Sequence, residues 1–79
     1  MNASPTMDTI EKIKAEYFAQ TQELLRSHPA ELKLFEELWA AERLKAAYIA
    51  AQEATRKFGL VRSAMSDKAD EDFFWTFVH

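Results

Sequence analysis

Three residues punctuate this chain of 79: Pro5, Pro29 and a single glycine, Gly59. Between Pro29 and Gly59 no residue forbids a helix, and the segment closes at both ends as helices do. Pro29 suits a first helical position, where its missing N–H costs nothing. Glu31 complements the positive end of the helix dipole, and Arg56 and Lys57 complement the negative end. Gly59 is placed to cap the helix in the left-handed conformation. The spacing therefore predicts one helix over about 29–58, a rod of about 45 Å at 1.5 Å per residue. One glycine also excludes glycine-rich phosphate loops and argues against a tightly turned all-β fold.

A helix precedes this rod. Asp8 followed by Glu11 has the spacing of a capping box, with Ser4–Pro5 as an earlier possible start. Ile10, Ile13, Tyr17, Thr21, Leu24, Leu25 and His28 recur at steps of three and four, one stripe on a helix. Lys12, Glu16, Glu23 and Arg26 occupy the other side. Helix 1 is thus expected over about 8–27, closed at His28–Pro29 because the residue before proline is pushed out of the helical region. Beyond Gly59, residues 60–65 read as a connector or an extra turn. Ser66 is the expected cap of a third helix over about 67–77, whose first turns carry Asp67, Asp70, Glu71 and Asp72. Phe73, Phe74, Phe77 and Val78 share one side if it is helical. The segment suits an anchor that completes the core and a partner-binding surface about equally. It can serve as both, with Phe73, Phe74 and Phe77 inward and Trp75 outward.

The fold class is all-α: residues 1–79 as a single domain, a long antiparallel helical hairpin plus a short C-terminal helix. The rod raises a packing problem. The apolar residues of its first half (Leu32, Leu34, Phe35, Leu38, Trp39, and Ile49 beyond) centre on one direction. Those of the second half (Leu44, Ala47, Tyr48, Ala51, Ala54, Thr55, Phe58) centre about 150–180° away at 100° per residue. Helix 1 can cover only the first face, and helix 3, turning back at Gly59, can cover part of the second. A compact chain of this length has a diameter near 30 Å, about two thirds of the rod. The expectation is a homodimer bundle, with Leu44, Tyr48, Ala51, Thr55 and Phe58 at the interface and the alanines allowing close approach.

Catalytic chemistry finds little support. The absence of cysteine removes disulfides, thiolate metal sites and thiol nucleophiles. His28 and His79 have no nucleophile placed beside them, and no Glu-x-x-His pattern suggests a di-metal bundle. Arg26, Arg43, Arg56 and Arg62 do not share a face, which leaves a small helical enzyme a remote option. No cofactor or metal is expected. The formal net charge of −3 gives no general attraction to phosphate or anionic lipid. Arg56, Lys57 and Arg62 around Gly59 would suit a helix–turn–helix, but the helix that follows is acidic and would repel nucleic acid. No stretch is long and apolar enough for a membrane span or a signal peptide, and with no cysteine this fits a cytoplasmic setting.

A hydrophobic share of 48% is too high for disorder. By elimination the expected role is protein–protein interaction: a small helical module that binds another protein and regulates or inhibits it. Trp39, Tyr48, Phe58 and Trp75 are the expected contact residues, since large aromatics dominate such surfaces. The alternative is an obligate subunit or adaptor of a larger complex, and a nucleic-acid-binding regulator is more remote.

Overall fold

The computed structural model describes residues 7–79, and the described chain is entirely helical. It contains α1 (Met7–Leu24), α2 (Pro29–Ala40), α3 (Leu44–Phe58), α4 (Ala64–Phe73) and a π-helical turn over Phe74–Val78. The expected start at Ser4–Pro5 lies outside the described residues. Since α1 already includes Met7, Asp8 sits in its first turn and acts on the dipole. The helix ends at Leu24, short of the expected 27, and runs into a tight turn in which His28 N–H donates to the Leu25 carbonyl at 2.9 Å.

The long rod over 29–58 is not formed. Its place is taken by α2 and α3, separated by residues 41–43. At the break the N–H of Arg43 donates to the Leu38 carbonyl at 3.0 Å and the N–H of Glu42 to the Trp39 carbonyl at 2.9 Å. That pair of bonds is a Schellman ending, with Glu42 in the left-handed region at φ 61°. The far end of α3 repeats the device with the residue suited to it. Gly59 has φ 62°, its N–H donates to the Arg56 carbonyl at 3.3 Å, and Leu60 N–H reaches the Thr55 carbonyl at 2.9 Å. The magnitudes explain why the chain bends. A left-handed non-glycine residue costs about 1–2 kcal/mol, whereas burying a single large apolar side chain returns about 1.5–3 kcal/mol. Folding α3 back buries several.

The halves lie antiparallel. The His28 ring at the start of α2 stacks on Phe58 at the end of α3, with centroids 3.8 Å apart, and Glu31 meets Lys57 at 4.0 Å. The closest backbone approaches join α2 to α3 and α1 to α4, not α1 to α2 as a simple hairpin would require. Ala47, Ala51 and Ala54, one face of α3 at steps of four and three, are buried, which lets neighbouring backbones come close. The two pairs meet through rings. Tyr17 lies parallel to Phe73 with centroids 4.1 Å apart, stacks on Trp39 at 5.8 Å, and meets Phe35 edge-on at 5.9 Å. Phe73 and Phe35 are fully buried. The result measures 43 × 28 × 19 Å with a radius of gyration of 12.6 Å.

The cap of α4 also differs from expectation. Ser63, not Ser66, accepts from the N–H three residues on, at 3.1 Å, and Ser66 is itself buried inside the first turn. The helix accordingly starts three residues earlier than expected. It ends in the π-helical turn, where His79 N–H reaches back five residues to the Phe74 carbonyl at 2.8 Å.

Candidate interaction surface

The segment after Gly59 is held against the bundle by a chain of polar side chains. Arg62 Nη2 donates to Gln52 Oε1 and lies 3.4 Å from Asp70 Oδ1, so one guanidinium ties the connector to α3 and α4. Gln52 Nε2 in turn donates to the Tyr48 hydroxyl at 3.1 Å. Arg62 and Asp70 are largely shielded from solvent. Burial raises the carboxyl pKa of Asp70 above its ordinary value, Arg62 opposes that rise, and Asp67 and Glu71 add to it. Burial likewise raises the Tyr48 hydroxyl. The Tyr17 hydroxyl is enclosed without a well-formed hydrogen bond; burial pushes its pKa up strongly, and the neighbouring Thr21 side chain tempers the rise.

Within the pinned connector Leu60 packs against the core and Val61 turns outward. Val61 is 89% exposed and Met65, in the first turn of α4, is 66% exposed. Beside Val61 an open groove of about 280 Å³ runs between Gln20, Glu23 and Leu24 of α1 and Leu60 and Ser63. A second open groove of about 220 Å³ lies at the other end of the α1–α4 pair, with Ile13 and Ala69 along it and Lys12, Glu16, Lys68 and Asp72 around it. Both are small and open compared with pockets that enclose a ligand, which run to about 300–1,000 Å³.

The residues expected to bind a partner divide sharply. Trp39 packs on Tyr17, Phe18, Phe35 and Phe73; Tyr48 packs on Tyr17, Phe73 and Phe74; Phe58 is covered by His28. Trp75 is the one left outside, 59% exposed. The five residues expected at a dimer interface are engaged within the chain. Leu44, Tyr48 and Phe58 pack against the core, Ala51 is part of it, and the Thr55 hydroxyl donates to the Ala51 carbonyl at 2.7 Å. The second apolar face of residues 44–58 therefore packs in part within its own chain, with Leu44, Tyr48, Thr55 and Phe58 half-buried.

Compared with known proteins, the chain matches no family model, no curated protein and no solved structure.

Other candidates are placed as follows. Arg62 turns inward, which takes it away from the basic group it formed in sequence with Arg56 and Lys57. Lys57 reaches Glu31, at the start of α2, at 4.0 Å. Among the described residues, no group of three or more His, Asp or Glu is placed to hold a metal ion, and no helix is long and apolar enough to cross a membrane. Both histidines lie against aromatic rings, His28 on Phe58 and His79 on Trp75. Sequence reading missed Val61 and Met65. Their signal was position alone, two apolar residues in a stretch read as a connector, next to an arginine with an acidic helix ahead of it.

Proposed function

We propose that the chain is a small helical module that binds another protein through the outer side of the 61–75 segment and so modulates it. One observation carries the reading. The largest exposed apolar side chains of this segment, Val61, Met65 and Trp75, sit on structure fixed from beneath by Arg62, while the other aromatics are consumed by the core. Single exposed apolar residues such as Leu34 and Ile49 are ordinary on any surface. Val61 at the rim of a groove, Met65 in the next turn and Trp75 at the far end of the same segment offer contact points suited to a partner's apolar side chains. The break between α2 and α3 removes one argument for a homodimer, the length of an unbroken rod. Self-association through the 61–75 face is the competing outcome.

The test is site-specific photo-cross-linking in the native host cell, with the reactive group at position 61 or 65 and, as controls, at 34 or 49. A discrete adduct with another protein from 61 and 65, absent from 34 and 49, supports the module. Adducts only with the chain itself would assign the face to self-association. Equal labelling from all four positions sinks the proposal.

A further inference from the structure

The outer face of α4 has a chemistry of its own. Across residues 1–65 nine Lys or Arg balance nine Asp or Glu, so the whole formal net charge of −3 comes from residues 66–79. There Asp67, Asp70, Glu71 and Asp72 stand against Lys68 alone. The structure disposes of two of the four: Asp70 turns in to Arg62, and Asp72 pairs with Lys68 at 3.3 Å. Asp67 and Glu71 remain exposed, with no ion pair formed to them among the described residues. They are four apart, hence neighbours on one helical face, where like charges repel. Trp75 follows at the next step of four. His79 lies against its indole at a centroid distance of 4.4 Å and Phe74 meets it edge-on at 5.2 Å, which holds the ring while most of it stays open.

Two uncompensated carboxylates and an open indole in line call for the same complement. Resting on the reading given above, we propose that this face receives a cationic segment of a partner protein, with a Lys or Arg over the Trp75 ring and further basic side chains paired to Asp67 and Glu71. A cation over an indole gains from the ring quadrupole, and the carboxylates steer the approach and select against acidic surfaces. Met65 and Val61, at the other end of the segment, supply the apolar contact that a purely electrostatic encounter lacks.

The probe is a short fluorescent peptide of alternating Arg and Ala, titrated with the full chain at about 20 mM salt, where screening is weak. Saturable binding is expected. It should weaken about fivefold in the Asp67→Asn/Glu71→Gln double variant and about threefold in Trp75→Ala. Removing the same charge elsewhere, with Glu37→Gln/Glu53→Gln, should leave binding unchanged. All five positions are exposed, and circular dichroism checks that the variants fold. Equal weakening by both double variants, or spermine binding as tightly as the peptide, would reduce the effect to diffuse attraction and overturn the proposal. No binding at all also overturns it. If the peptide fails while cross-linking from position 61 still captures a protein, the cationic partner is wrong and the binding module stands. If both fail, both readings fall.

Discussion

Tyr17 is the residue on which most of the packing converges, and it carries a defect. Its ring touches side chains from α2, α3 and α4, yet its buried hydroxyl makes no well-formed hydrogen bond, with Thr21 as its polar neighbour. A buried, unsatisfied hydroxyl costs about 1–3 kcal/mol, and deleting it removes that cost without disturbing the ring. Tyr17→Phe is therefore expected to lose no stability and to gain up to about 1 kcal/mol, read from chemical denaturation; a loss of more than that would mean the hydroxyl has a partner. Asp70 presents the opposite case, a charge kept inside by one guanidinium. Its folded-state pKa is raised above the ordinary 3.8, so the folded chain binds that proton more tightly than the unfolded chain does. The contribution of Asp70 to stability accordingly improves as pH falls through the raised value and worsens as pH rises through it. Measured against Asp70→Asn, which cannot titrate, the wild type is expected to gain relative stability between pH 7 and about 4. A relative loss over that window would show that the Arg62 pair, and not burial, governs the group.

At the scale of the element, the break between α2 and α3 rests on Glu42. Its left-handed backbone is the one a glycine adopts freely, and seventeen residues later the chain uses Gly59 for the same job. Glu42→Gly should thus stabilise the fold by about 1 kcal/mol, through relief of strain at φ 61°. For a chain of this size that raises Tm by about 4–8 °C. A lower Tm would mean that Glu42 is held by something worth more than its strain. The same residue explains what was legible beforehand. Helices, their polarity and the Gly59 cap follow from local rules, and so does the change of apolar face between Ala41 and Ala47. What that change meant did not follow. With Ala40, Ala41, Glu42 and Arg43 all good helix formers, nothing local marks an ending, and a switch of faces along one rod looks the same as two helices folded together. Tertiary burial decided between them, and that term is not written in any four-residue window. Likewise Ser63 took the cap from Ser66 because starting the helix earlier buries Ser66 and Ala69 and carries Asp70 to Arg62.

For the whole molecule, the question is whether the last residues belong to the surface or to the foundation. Phe73 has no exposed area, lies flat on Tyr17, and also meets Trp39, Tyr48 and Phe77. It is the only fully buried side chain that α4 contributes to the meeting of the two helix pairs. Emptying a site of this kind costs about 3–5 kcal/mol, which approaches the entire stability expected of a small domain, about 5 kcal/mol at the lower end. Phe73→Ala should therefore melt without cooperativity or at a sharply lowered temperature. Removing residues 73–79 should do at least as much, since it also withdraws Phe77 and Val78 from the core. Trp75→Ala, in the same seven residues but facing out, should leave Tm unchanged. This contrast separates anchor from surface within one short segment. If the truncated chain kept a sharp transition, the helix pairs would have another adhesive, and the rings around Tyr17 would be free for a partner instead of spent on the fold.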